Sequence, residues 1–326
     1  DIRMMMRKDG IKGEPKPWDY MYYLDKAKQE KFNISEAEVS QYLEINNVIQ
    51  GIFWTANKLY GLSFRERTED YPQYHKQQQS WDVIDKKGNL IAIFYSDYYP
   101  RDGKGAGAWC GRFRPQSYDG AMRVQPIVTN VCNMTLPTEE GGPALQTVDN
   151  VLTMFHEFGH ALHSFFRDVQ YEGTGGVERD FVELPSQINE HWAFEPEVLR
   201  QYARHYQTGE VIPQELVEKI DASSKYGQGF ATVEYLAASY VDLDLHYLTE
   251  MPKKLDVMKF QAEKMRKRGM PSQILPRYSV TNFSHTMGGG YSAGYYSYIW
   301  AEVLDADAFE AFKETGDIFN QKVAER

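Results

Sequence analysis

Met154-Phe-His-Glu-Phe-Gly-His-Ala-Leu-His163 is the stretch on which the reading of this chain turns. Val151, Phe155, Phe158, Leu162 and Phe165 recur at three- and four-residue spacing, the period of a helix with one apolar stripe. At ~100° per residue, His156, His160 and His163 fall together, roughly opposite that stripe. The spacing predicts a helix anchored by one face and lining a cleft with the other. Asp149 and Asn150 sit at its expected start, with Thr147 as the cap. Residues four apart on a helix have Cβ atoms ~5–6 Å apart, so His156 and His160 can grip one cation. Neutral imidazole nitrogen suits zinc, which is tetrahedral in most such sites. Glu157, next to the first ligand, would project beside the metal and take a proton from water. His163 shares the face, but a supporting or core role suits it better than ligation.

A catalytic zinc of this kind needs a third protein ligand and an open position. Val177-Glu-Arg-Asp-Phe-Val-Glu-Leu-Pro-Ser-Gln-Ile-Asn-Glu-His-Trp192 offers Glu178, Asp180, Glu183 and Glu190. Pro185 fits the first turn of a helix, which puts Glu183 near the rigid start of an element. Spacing alone does not choose among the four.

The other conspicuous segment is His285-Thr-Met-Gly-Gly-Gly-Tyr-Ser-Ala-Gly-Tyr-Tyr-Ser-Tyr-Ile-Trp300. Gly288, Gly290 and Ala293 match a loose dinucleotide pattern, which is set aside because no clear buried strand precedes it. The segment reads as a glycine loop leading into a helix, with Tyr291, Tyr295 and Tyr298 on one face. Such a stripe is either aromatic packing or a set of hydroxyl donors for an oxyanion.

Here a resemblance adds to the residues. HEFGHALH followed by ERDFVELPSQINEHW resembles the M3 family of zinc metallopeptidases, the thimet oligopeptidase group. The interval between the two motifs is slightly shorter than in the mammalian oligopeptidases, with the gap near Glu172–Gly176. The resemblance implies one Zn2+ held by His156, His160 and Glu183, with Glu157 as general base. Glu190 and His191 become candidates for orienting a zinc histidine. The glycine-loop segment resembles the M3 motif in which a His and two Tyr act on substrate, roles that fall on His285, Tyr291 and Tyr298. The three-glycine form and the ELPSQINEHW wording are most similar to bacterial peptidyl-dipeptidases. Further family-like pieces are Trp18-Asp19-Tyr20, Leu62–Arg67, and Phe94–Asp97 with Pro100, Arg101 and Lys104. The implied fold is mostly α with a small antiparallel β-sheet, a zincin-type catalytic domain of the M3 (neurolysin-like) kind. Family members are longer, with N-terminal helices walling a deep channel. The expected substrates are therefore short unstructured peptides, cut to release C-terminal dipeptides. An endo-acting oligopeptidase is the first alternative, and a zinc-binding fragment without activity the second. Recognition of a free C-terminal carboxylate, by Arg277, Tyr278 or the glycine loop, would separate the first two.

The rest of the chain agrees. Its 326 residues are 42% hydrophobic and 25% charged, ordinary for a globular protein with a sizeable core. A net charge of −10 leaves no basic face for nucleic acid. Cys110 and Cys132 lack metal-type spacing and read as reduced thiols. No apolar run approaches the ~20 residues that span a bilayer, and no signal peptide is visible. A cytoplasmic setting is expected, with the periplasm as alternative because a chain that begins DIRMMM and ends QKVAER reads as a piece of a longer protein.

Periodicity predicts helices over Glu36–Leu43 and Asn46–Tyr60. Between about 81 and 133 it predicts a β-rich subregion. There Trp81–Ile84 and Leu90–Tyr95 form a hairpin around Asp85–Asn89, Asp97–Gly107 is a loop, and Gln125–Asn133 is a third strand. From Thr147 the pattern is helical, broken at Glu172–Gly176 and Arg268–Pro276, with the zinc-binding helices at about 147–195. The organisation expected is one catalytic domain over 1–326.

Overall fold

The computed structural model describes residues 1–139, 141–250 and 252–326. They divide into two compact units, one of residues 1–35 and 218–300, the other of 36–217 and 301–326. The first opens with α1 (Ile2–Lys8) and α2 (Pro17–Phe32). The second begins with α3 (Glu36–Ser40) and α4 (Ile45–Tyr60). It continues through β1 (Ser63–Glu66), β2 (Gln79–Ile84), β3 (Leu90–Asp97), β4 (Trp109–Arg114), β5 (Ser117–Asp119), β6 (Met122–Val124) and β7 (Ile127–Val131). Then come α5 (Val148–Phe166), α6 (Leu184–Ala193) and α7 (Pro196–Tyr202). The chain crosses back within α8 (Gln214–Ser223) to α9 (Gln228–His246), α10 (Val257–Lys267) and α11 (Ser284–Met287), and returns within α12 (Ser297–Lys313) to α13 (Gln321–Ala324). None of these helices is long and apolar enough to cross a membrane.

The fold is mostly helical with a small five-stranded sheet beside a two-stranded hairpin, and the larger sheet is mixed where an antiparallel one was expected. Its order among the described residues is β1-β2-β3-β7-β4. β2 pairs antiparallel with β3 as the hairpin predicts, while β7 lies parallel to β3, with Ile93 opposite Ile127 and Asp97 opposite Val131. Parallel neighbours need a long crossover, and here the segment carrying β4 and the β5-β6 hairpin supplies it. β7 is then covered on both sides by β3 and β4 and reads as a buried run, a pattern that does not encode strand direction. The β region also starts earlier than expected, because β1 pairs with β2. β1 is four residues long and largely exposed at the sheet edge, so it carries little hydrophobic signal.

The core of this unit follows from the helical stripes. In α4, Ile45, Val48, Ile49, Ile52, Phe53, Ala56 and Leu59 are buried along one face. The Glu44 side chain accepts from the amides of Asn46 and Asn47 at its start, and Gly61 ends it in the left-handed region. The α5 seam is buried at Val151, Phe155, Phe158, Leu162 and Phe165. Phe158 lies in an aromatic cluster with Phe53, Phe64 and Phe94 at centroid distances of 5.6–5.9 Å. Helix α5 is thus fixed against both α4 and the sheet, which leaves its histidine face for chemistry.

Candidate active site

Helix α5 starts where the sequence places it, with the Thr147 hydroxyl accepting from the Asn150 amide at 3.1 Å. His156 and His160 follow on the face opposite the aromatic seam, their side chains 19% and 18% exposed. Their rings are 5.1 Å apart and nearly perpendicular. Glu183 stands immediately before α6 and is 1% exposed. Its Oε2 is 3.2 Å from Nε2 of His156 and 3.2 Å from Nε2 of His160. Of the four acidic candidates, Glu183 alone joins the two histidines: one donor atom from each of the three lies within 4.8 Å of the others. No other such group of His, Cys, Asp or Glu occurs among the described residues. Two imidazole nitrogens and one carboxylate oxygen form a donor set suited to zinc. His163 is not part of this group.

Glu157 is 5% exposed, and its Oε2 is a buried oxygen with no hydrogen-bond partner among the described residues. A buried carboxylate oxygen left over beside a metal-type donor set fits a base whose partner arrives with the substrate water. Burial raises its pKa above the ordinary carboxylate value, although His156 and His160 pull the other way. Electrostatics elsewhere in the site favour positive charge. Burial works to lower the pKa of His156, but the carboxylates of Glu183 and Glu190 outweigh it and raise the value to about 10. Glu183 resists the upward push of its burial and lies well below the usual carboxylate range, because both imidazoles hydrogen-bond to it.

Of the two candidates, Glu190 is the one that reaches a histidine of this group: its Oε1 is 2.6 Å from Nδ1 of His156. That contact leaves Nε2 directed at Glu183. His191 points elsewhere, with Nε2 2.6 Å from Asp305 and its ring stacked on Phe309. Three supports were missed in the sequence. Ser186 donates to Oε2 of Glu183 at 2.9 Å, fixing the carboxylate. Asn189 of α6 donates to the Phe155 carbonyl of α5, and Asn130 of β7 donates to the Glu157 carbonyl. Gly159 allows α6 to approach: a Cβ there would stand 2.3 Å from the Pro185 oxygen and 2.6 Å from the Ser186 Cα. A glycine inside a strong helical pattern was the available signal for that approach.

His285, Tyr291 and Tyr298 gather in the other unit. The His285 ring is 6.0 Å from Tyr291 and 6.2 Å from Tyr298, and the two tyrosines stack at 5.4 Å with planes 15° apart. Tyr278 is 4.9 Å from His285. The tyrosine stripe is not one helix face, however. α12 begins only at Ser297, and residues 292–296 form consecutive turns in which Ala293 adopts φ 53°. Tyr295 is a core residue, packed with Ala238 and Phe283. Tyr291 and Tyr298 are half-buried beside it.

The two-histidine, one-glutamate centre with its buried neighbouring carboxylate defines a metallopeptidase-type site, and the family match agrees. Residues 1–326 match the model of peptidase family M3, and the chain belongs to that family. It is 42% identical over 306 residues to the dipeptidyl carboxypeptidase of Escherichia coli, covering 93% of this chain and 44% of that protein. Oligopeptidase A of Escherichia coli is 37% identical over 320 residues, 96% of this chain and 46% of the relative. Saccharolysin of Saccharomyces cerevisiae is 30% identical over 317 residues, 94% and 44% respectively. The chain therefore spans less than half the length of these relatives.

Proposed function

We propose that the chain is the catalytic part of a zinc-dependent peptidase that releases dipeptides from the C-termini of short unstructured peptides. The convergence of His156, His160 and Glu183 donor atoms within 4.8 Å, next to buried Glu157, carries this reading. Zinc, when bound, supplies Lewis-acid polarisation of the scissile carbonyl and lowers the pKa of water toward neutrality. Glu157 takes the proton of the attacking water and returns it to the leaving amine, a role worth roughly 10²–10⁴-fold in rate. Its raised pKa suits that exchange, since a carboxylate that held the proton too weakly could not take it from water. Glu190 holds His156 in the tautomer that presents Nε2. Tyr291, Tyr298 and His285 donate hydrogen bonds to the oxyanion or the peptide, and residues 1–326 act as one catalytic domain. Their grouping within one aromatic cluster, in the pattern of the M3 glycine-loop motif, supports these roles.

Metal analysis and hydrolysis of a short internally quenched peptide test the core reading. Wild type is expected to hold one zinc, and Glu157→Gln to keep it while losing about 10²–10⁴-fold in kcat. Activity that survives the substitution removes Glu157 from the mechanism. A second reading, an endo-acting oligopeptidase, draws on the 37% identity to oligopeptidase A, below the 42% to the dipeptidyl carboxypeptidase. A C-terminally amidated twin of the peptide separates the two: unchanged cleavage of the amide sinks the dipeptidase reading. Arg277 and Tyr278, the latter against His285, are the carboxylate-binding candidates.

A further inference from the structure

Helix α9 carries a polar group that neither the metal centre nor the aromatic trio accounts for. Asp242 is completely buried. Its Oδ1 accepts from the amide of Ala293 at 3.0 Å and its Oδ2 from the amide of Tyr295 at 3.0 Å. His246, one turn on, places Nδ1 3.0 Å from the same Oδ1. Two turns back on the same helix face, the Tyr235 hydroxyl donates to the carbonyl of Tyr295 and accepts from the amide of Ile299 at 3.2 Å. Ala238, between them on that face, packs against Tyr295.

One helix face thus grips the backbone at 293 and 295, within the stretch that joins Tyr291 to Tyr298, and at 299 just beyond it. That stretch is locally costly: Ala293 is a non-glycine residue at φ 53°. Such a backbone persists only when its surroundings over-determine it. A carboxylate offering one oxygen to each of two amides does so with charge-assisted hydrogen bonds. We propose that Asp242 is a positioning residue: by holding the Ala293 and Tyr295 amides it sets the turn that stacks Tyr291 on Tyr298 beside His285. It touches no substrate and acts through the two tyrosines. The inference rests on the proposed role of those tyrosines in peptide hydrolysis.

Asp242→Asn is the direct test, because an amide side chain keeps the shape but presents N–H to one of the two backbone N–H groups. In the zinc-loaded full-length protein, cutting a quenched peptide with a free C-terminus, kcat is expected to fall about 10–100-fold through tyrosine misplacement. KM should stay within about threefold and zinc content should not change, as expected for loss of a transition-state interaction. Amide hydrogen exchange over 288–298 should quicken. Combined with Tyr298→Phe, the double variant should be slower than the slower single by no more than about threefold, since both changes remove one unit. Full additivity, or a wild-type kcat in Asp242→Asn, overturns the proposal. Tyr298→Phe alone checks the underlying reading: a wild-type rate there removes the tyrosine from catalysis and takes the proposal with it. Should Asp242→Asn not fold, Tyr235→Phe breaks the other half of the grip and is held to the same kinetic and exchange criteria.

Discussion

At Gly159 a single hydrogen atom decides whether Glu183 reaches His156 and His160. The Pro185 carbonyl and Ser186 Cα occupy the space a Cβ would need, so α5 and α6 meet backbone to backbone. Gly159→Ala is expected to push α6 outward, cost about 1–3 kcal/mol in overpacking and weaken zinc binding with it. Titration with a competing chelator checks this, and unchanged affinity would contradict the close approach. Glu190 and Ser186 hold His156 and Glu183, the proposed ligands. Glu190→Gln or Ser186→Ala is expected to cost about 10–100-fold in zinc affinity while leaving the melting temperature of the chelated protein nearly unchanged. A fall in that temperature equal to the one seen with zinc would make the two residues structural.

Between elements, the loop after β3 offers the sharpest test of how the sheet is held. Asp97 ends β3 fully buried and is gripped by Arg101 through two hydrogen bonds of 2.7 and 2.8 Å, by Lys104 at 2.9 Å and by Tyr74 at 3.0 Å. Burial pushes its pKa up, but the hydrogen bonds of Arg101 and Lys104 prevail and hold it below its ordinary 3.8. A carboxyl with a depressed native pKa stabilises the fold above its unfolded value, and that contribution is lost as the pH drops through the native value. Acid melting curves should therefore show this term fading below about pH 4 in wild type and absent in Asp97→Asn. At neutral pH the substitution should cost about 3–5 kcal/mol, because Lys104 stays buried without its anion. Equal acid sensitivity in both proteins would contradict the assignment. This segment was visible in the sequence only as a run of family-like residues around an expected loop; the charge cluster depends on folding.

Across the whole molecule, the proposed metal centre links distant parts of the chain. His156 and His160 come from α5, Glu183 from the start of α6, and α6 is tied to α12 through His191 and Asp305. Zinc that binds the native state and not the unfolded chain adds stability as RT ln(1 + [Zn]/Kd), about 4 kcal/mol at a thousandfold excess over Kd. Differential scanning calorimetry should show a chelator-dependent drop in melting temperature in wild type and none in Glu183→Ala. A drop of the same size in that variant would place the stabilising ion elsewhere.

The α5 helix, its cap, its aromatic seam and its histidine face could be read from local pattern, because periodicity and capping are properties of neighbouring residues. The β2–β3 hairpin could be read for the same reason, its turn being closed by the Asp85 side chain on the Lys87 and Asn89 amides. Choosing Glu183 from four acids required either resemblance or coordinates, since spacing says nothing about which carboxylate folds back over two imidazoles. The parallel pairing of β3 with β7, the Gly159 crossing and the grip of Asp242 on the Ala293 and Tyr295 amides lay beyond local reading altogether. Each joins residues far apart in the chain through backbone atoms that every residue shares, so side-chain identity leaves almost no trace of them. Local order follows from the sequence of neighbours, and the site is completed only by packing.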